Sequence, residues 1–540
     1  MSRDATPLSA TRRRSLESIV GPDRVRTTLP DRLAYQNDCW PRGIILSRGR
    51  RLDHHLPSAI VQPADESQVV ELVDWARDTG VPIVAFGAGS GVCGGAVADR
   101  SSIVVDLKRL DDLVAIDEQN ATVRAGPGLI GMDLERYLNH AGWTMGHYPS
   151  SLYCSSVGGY LAARSAGQYS SRYGKIEDMV LSMRVVTGEG EVIDTAADPL
   201  GNGAEPANGA GRDLNEIFVG NEGTLGLITE GLMRIEPAPT KRNYRGFQFS
   251  RLDLALDAIR EMMQQGLRPT TVRLYDEVDS LIASSEKKGK VSSSSPQAPR
   301  LMKKLADRAG RLLPDSVGTS LRDTVDHASR TLLGRAIGQP LLLNSIADAL
   351  PGHSLLVVGF EGRTELVDQD AEYAWEIFRR HGVDLGTGPG EHWLENRFNV
   401  SYKQSPMFDT GAFVDTMEVS TTWDRLGDLY DNVRRAMKPH VFVMAHFSHV
   451  YPEGSSIYFT FAGFAPDVDA TIAKYERAWE AGLDAVADSG ASIAHHHGVG
   501  QSKAPWTSRD HTGGPALFER LKDRYDPDRI LNPGKVYPTV

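Results

Sequence analysis

The sequence predicts an α+β protein of more than one domain, on three observations. The chain has 540 residues, too many for one hydrophobic core at roughly 100–200 residues per domain. A strand–helix–strand pattern near its start is followed by strands in quick succession, and long helical patterns come only later. The 53 glycines cluster instead of recurring at a fixed period, which marks special loops and excludes a fibrous repeat.

Taken in order, residues 1–55 are polar and Arg-rich with weak periodicity, and form an unassigned N-terminal segment. Residues 56–239 read as the first domain. Pro57–Pro63 is a short strand bounded by prolines. Asp65 or Ser67 caps a helix with Val69, Val70, Leu72, Val73 and Ala76 on one face, and Gly80 ends it. Strands are expected at Pro82–Phe86, Ile103–Leu107 and Ala121–Ala125, a helix at Asp133–Ala141, and closing strands at Met183–Thr187 and Glu191–Asp194. Residues 240–490 read as a second domain. It is helix-rich to about 345, with Ser-heavy Ser284–Pro299 as an expected mobile loop, and mixed beyond. Ile457–Phe461 is its clearest strand, and a helix at Ala470–Ala487 follows. Residues 491–540 hold a His-Gly loop and a terminal helix.

Lys and Arg number 59 against 70 Asp and Glu, a net charge of −11, which excludes a general nucleic-acid binder. Cys39, Cys93 and Cys154 make no disulfide framework, so a reducing compartment is expected. The N-terminus lacks the apolar core of a signal peptide, and no run approaches the roughly 18 apolar residues of a membrane span. A cytoplasmic location is therefore expected.

Gly89-Ser90-Gly91-Val92-Cys93-Gly94 matches the G-x-G-x-x-G pattern of a dinucleotide turn. That turn should open a helix. Only Gly95–Ser101 separates it from the next strand, so the sequence predicts a glycine loop between strands, with backbone N–H groups free for a pyrophosphate. A plain tight turn is the alternative. Pro149–Gly159 and Phe218–Glu230 are two further small-residue clusters. Three such segments in one domain suit an extended dinucleotide, because small residues allow close backbone approach.

In this order the segments resemble the FAD-binding domain of the PCMH-type, vanillyl-alcohol-oxidase flavoprotein superfamily, over about residues 57–540. Glu222–Glu230 (E-G-T-L-G-L-I-T-E) is similar to its FAD-linked oxidase signature. Within it, Tyr173–Asp178, Thr271–Asp276, Ile457–Ala462 and His495–Gly500 (H-H-H-G-V-G) resemble the alkylglycerone-phosphate synthase branch. The triple histidine discriminates, since the 2-hydroxy-acid dehydrogenases show E-H-G-V-G there.

The resemblance implies a two-subdomain PCMH-type FAD-binding domain, a mixed α/β cap that carries substrate, and a helical C-terminal segment returning to the FAD domain. It implies that Phe86, Gly87, Ala88, Gly89, Ser90, Gly91 and Val92 hold the FAD pyrophosphate. Pro149, Ser150, Ser151, Leu152, Tyr153, Cys154, Ser155, Gly158, Gly159, Ala162, Ala163, Arg164 and Ser165 would line the remainder. So would Glu222, Gly223, Thr224, Leu225, Gly226, Leu227, Ile228 and Asn532. Tyr458 would be the acid/base, His495, His496 and His497 would sit by the flavin, and Arg273 would be the critical arginine. The implied reaction exchanges the acyl group of acyl-dihydroxyacetone phosphate for a long-chain alcohol, with flavin N5 anchoring the substrate carbon. An FAD-linked oxidoreductase acting on a 2-hydroxy acid or alcohol is the alternative. A homodimer is the expected assembly, and a lipid substrate implies peripheral membrane contact.

There are departures. The branch's cap arginine falls at Gln404, with Lys403 beside it as a point charge for a phosphate. The first glycine loop has no histidine, so non-covalent FAD is expected, with Cys154 an inert buried thiol. Taken alone, Arg273 is an ion-pair candidate for Asp276 and Tyr458 a core tyrosine. The histidine run is read as no metal site, because neighbours on an extended chain point to opposite faces and no ligand cluster stands nearby.

Overall fold

A computed structural model describes residues 8–51, 55–196, 213–283, 337–349, 352–363, 365–399, 405–408 and 411–538. The chain divides into two compact units, Met1–Ala238 with Ala494–Val540, and Pro239–Ile493.

The first unit contains a four-stranded sheet in the order Val25–Arg26, Ala59–Val61, Ile103–Asp106, Ile83–Phe86. Its last three strands are parallel, as a strand–helix–strand crossover requires. The crossover helix is Glu66–Thr79. Asp65 caps it by accepting the Gln68 N–H at 2.9 Å, and Gly80 stops it in the left-handed region at φ 65°. Val69, Leu72, Val73 and Ala76 are fully buried on its inner face. The N-terminal stretch, left unassigned from sequence, belongs to this unit. Helix Ala10–Val20 packs Leu16 into the same core, and Ser15 accepts the Trp75 indole N–H at 2.7 Å.

A second, antiparallel sheet orders Leu113–Asp117, Thr122–Ala125, Gly226–Arg234, Val180–Thr187 and Val192–Asp194. Arg184 grips Glu66 at 2.6 and 3.1 Å, tying this sheet to the crossover helix. The chain's end rejoins the unit, where Leu531 bridges Ile83 in parallel.

The second unit is built on a seven-stranded antiparallel sheet: Gly382–Asp384, Lys241–Phe249, Ser354–Gly362, Thr271–Tyr275, Phe442–Val450, Gly454–Phe464, Ala412–Thr422. Two of these strands lie within residues 240–345, which also hold helices Leu252–Gln264, Glu277–Ala283 and the start of Pro340–Ala349. Ser284–Pro299 lies outside the described residues. Along Gly454–Phe464, Ile457, Phe459 and Phe461 are buried toward helices Leu426–Met437 and Val468–Asp488, where they meet Tyr430 and Trp479. Strand alternation then sends Tyr458 and Thr460 to the opposite face.

Candidate functional site

In the first unit the three glycine-rich segments come together. No helix occurs between Phe86 and Ile103, so the first cluster is a loop and not a Rossmann turn. Gly89 and Gly94 take φ values of 67° and 77°. A methyl group on Gly87 would strike the Ser156 hydroxyl, and one on Gly95 would lie 2.6 Å from Glu222 Oε2. Bare backbone here lets the first loop lie directly on the other two. The third segment also docks on helix Val157–Ala162, through Gly220 N–H to Leu161 O and Glu222 N–H to Ala162 O, both 2.9 Å.

The donor set suits an anionic dinucleotide. Among the described residues, the backbone N–H groups of Gly89, Ser90, Gly91 and Val92 have no protein acceptor. Lys108 places its ammonium 3.1 Å from Gly87 O, beside the loop. Asn532, at φ 38°, donates from Nδ2 to Gly95 O at 2.9 Å and Glu222 O at 2.6 Å. Its buried Oδ1 has no partner. A row of open N–H donors, a nearby cation and an orphaned buried carbonyl are what a bound diphosphate and polar ring edge satisfy.

The two most specific motifs meet in this unit. The Glu222 carboxylate accepts the N–H of Val499 at 2.5 Å and of Gly500 at 2.9 Å, and so fixes the His-Gly loop. Burial pushes this carboxyl above its ordinary range, while those two N–H groups pull the other way. Upstream of Val499 the chain bends instead of extending, which corrects the opposite-faces reading of the histidines. His495 Nδ1 and His496 Nδ1 lie 2.8 Å apart, and the rings of His496 and His497 meet at 4.6 Å. Of the lining candidates, Arg164 pairs with Glu177 at 3.2 Å, and Ser165 Oγ meets His147 Nε2 at 3.1 Å. Cys154 is exposed, not buried as expected, although partial desolvation still raises its thiol pKa.

In the second unit, register builds the site. Tyr275, His446, Tyr458 and Glu418 stand directly opposite one another across four strands. Side chains on one such rung share a face, and Arg273, two residues from Tyr275, shares it too. Arg273 Nη2 lies 2.8 Å from His446 Nε2, and His446 Nδ1 lies 3.3 Å from Asp279 Oδ2. The ring of His446 stacks on Tyr458 at 4.7 Å and 15°. Tyr458 Oη meets His449 Nε2 at 3.1 Å. Burial holds the phenol far above its ordinary pKa, Glu418 adds to this, and Arg273 opposes it.

Arg273 therefore does not pair with Asp276. That carboxyl is fully buried elsewhere, accepting Tyr430 Oη at 3.0 Å and Ala445 N–H at 2.8 Å. Sequence reading missed His446, His449, Asp279 and Glu418. His446 and His449 are three apart, which on a regular strand puts them on opposite faces. A bulge at His449, between the Ser448 and Val450 pairings, removes that difference and carries no sequence mark. Lys403 and Gln404 lie outside the described residues.

Comparison with known proteins agrees with both halves. Residues 57–196 match the FAD binding domain family, and residues 238–536 match the C-terminal domain of FAD linked oxidases. The chain belongs to the FAD-linked oxidase family. FAD is its cofactor, and the residues described above suit it. The chain is 28% identical to the alkyldihydroxyacetonephosphate synthase of Dictyostelium discoideum, covering 98% of this chain and 80% of that one. It is 26% identical to an FAD-linked oxidoreductase of Escherichia coli (strain K12), covering 97% of each. A solved alkyldihydroxyacetonephosphate synthase structure superposes with a TM-score of 0.72 at 24% identity, over 99% of this chain and 87% of that one, which shows a shared fold.

Proposed function

We propose that this FAD enzyme is an alkylglycerone-phosphate synthase-like transferase. It exchanges the acyl group of an acyl-dihydroxyacetone phosphate for a long-chain alcohol. The observation that carries the reading is the face shared by Arg273 and Tyr458, a guanidinium and a half-buried phenol that both contact His446. The similarity to synthases along nearly the whole chain supports it. Arg273 holds the substrate phosphate, for which its planar fork is suited. Tyr458 moves a proton off and back onto the carbon beside the carbonyl. The histidine loop, fixed by Glu222, supplies N–H donors to a developing oxyanion. The glycine loops of the first unit and Asn532 would hold FAD non-covalently, and when bound it would supply an electrophilic centre. Gln404 stands at the branch's arginine position, and Lys403 beside it contributes a point charge to phosphate binding.

A second reading is an FAD-linked oxidoreductase of a 2-hydroxy acid or alcohol. It is favoured by the end-to-end match to the Escherichia coli oxidoreductase, against 80% coverage of the synthase. One experiment separates them. The purified holoenzyme is given palmitoyl-dihydroxyacetone phosphate and hexadecanol, and separately a panel of 2-hydroxy acids without oxygen. Alkyl ether formed without net electron flow supports the transferase. Flavin bleaching by a 2-hydroxy acid, with no ether formed, sinks it.

A further inference from the structure

His449 has no role in the reading so far, yet the fold spends an irregularity on placing it. It is 6% exposed and sits at the bulge with φ 53°, a region a histidine seldom occupies. Such conformations persist where the surroundings enforce them, and they gather at functional sites. The bulge turns the ring onto the rung face, where its Nε2 stands 3.1 Å from Tyr458 Oη with the two rings inclined by 26°.

The chemistry of Tyr458 needs such a neighbour. Burial and Glu418 keep the phenol protonated, while Arg273 opposes them. A protonated phenol cannot accept a proton from carbon until its own has somewhere to go. An imidazole nitrogen at hydrogen-bond distance supplies that place, as a base does for any weak nucleophile or acid. The titratable and charged groups near the pair are Glu418 on Ala412–Thr422, Arg273 and Tyr275 on Thr271–Tyr275, His446 on the histidine's own strand, Asp279 against His446, and Tyr451 in the following turn.

We propose that His449 is the proton partner of Tyr458, taking the phenol proton at Nε2 as the phenolic oxygen takes a proton from substrate carbon. One C–H and one O–H bond break, one O–H and one N–H bond form, and no electrons are exchanged with an outside group. Both protons return when the carbon is reprotonated. The inference rests on the acid/base role of Tyr458 in the transfer proposed above. His449 acts through Tyr458 and is a positioning and proton-holding residue.

The test uses FAD-loaded His449→Leu, His449→Gln, Tyr458→Phe and the Leu/Phe double variant, with flavin content and thermal midpoint as checks of folding. His449→Leu should lower kcat for ether formation about 100-fold with KM within about twofold. The double variant should be no slower than Tyr458→Phe, and the pH–kcat profile should lose one limb. Losses that multiply in the double variant, or a rise in KM at unchanged kcat, overturn the proposal. If His449→Leu does not fold, His449→Gln decides. It keeps a hydrogen bond but cannot be protonated, so full turnover overturns the relay. Nitrogen-15 NMR of histidine-labelled protein needs no substrate. The His449 resonance should move in Tyr458→Phe, and an unmoved resonance overturns the pairing. If the wild type makes no ether while the pairing stands, the transferase reading falls. The same variants are then read in flavin bleaching by a 2-hydroxy acid, where unchanged kcat overturns the proton role.

Discussion

Arg273 carries only N–H donors, so the His446 nitrogen 2.8 Å away must be the acceptor. His446 is therefore neutral, with its proton on Nδ1 toward Asp279. That chain aims the guanidinium, and protonating the imidazole would remove its only way of doing so. His446→Leu is expected to raise KM for a phosphorylated substrate about tenfold, with a smaller change in kcat, because one charge-assisted hydrogen bond is worth roughly 1.5–3 kcal/mol. Steady-state kinetics on phosphorylated and unphosphorylated substrates check this, and equal effects on both would contradict a phosphate role for Arg273. A second residue-scale prediction concerns Gly89. Its φ of 67° disfavours a side chain, and a methyl there would lie 2.5 Å from the Phe86 ring. Gly89→Ala should purify with less than about a tenth of the wild-type flavin, since the strained loop can no longer present its N–H groups. Normal flavin content, read from the absorbance ratio after gel filtration, would refute this.

Among the elements, the bend between strand Thr271–Tyr275 and helix Glu277–Ala283 turns on Asp276, which binds the neighbouring strand at Ala445 and helix Leu426–Met437 at Tyr430. Burial pushes its carboxyl up to about 7. A carboxyl raised in the folded state holds its proton more tightly there than when unfolded. Its contribution is fully present below its unfolded pKa near 4 and is lost as pH rises through about 7. Asp276→Asn removes that loss, so the variant's unfolding free energy, read from urea melts, should gain on the wild type's between pH 4.5 and 8, by on the order of 3 kcal/mol. A difference that shrinks over that interval contradicts the account. The same strand shows where sequence reading stops. Helix Glu66–Thr79 was legible to its caps, because Asp65, Gly80 and the apolar stripe are local signals. Thr271–Tyr275 lies mid-sheet between partners at least 80 residues away, with no clean alternation of burial. Its pairing, the rung it builds and the bulge at His449 are non-local, and no nearby residue announces them.

Over the whole molecule, the cofactor half is closed by residues from opposite ends of the sequence. Helix Gly514–Tyr525 is anchored by buried Lys522, which donates to Thr224 O at 2.8 Å and Leu531 O at 3.0 Å and pairs with Asp526. Asn532 then takes up three positions at once: its N–H bonds Ile83 O at 2.8 Å, and its Nδ2 reaches Gly95 O and Glu222 O. Strand Ile83–Phe86, the end of the first glycine loop and the third segment are thus fixed by one residue 437 positions beyond Gly95. Sequence motifs identified all of these pieces, but only the fold shows that the last one organises the others. Asn532→Ala leaves two part-buried carbonyls without these donors, at about 1 kcal/mol each, in the loops that hold FAD. The apoprotein should still fold, since the bridge from Leu531 to Ile83 is a backbone pairing. FAD affinity should drop at least tenfold in a flavin-fluorescence titration, and the rise in thermal midpoint on adding FAD should shrink accordingly. An apoprotein midpoint that drops sharply, with affinity unchanged, would make Asn532 a strut of the fold and not of the cofactor site.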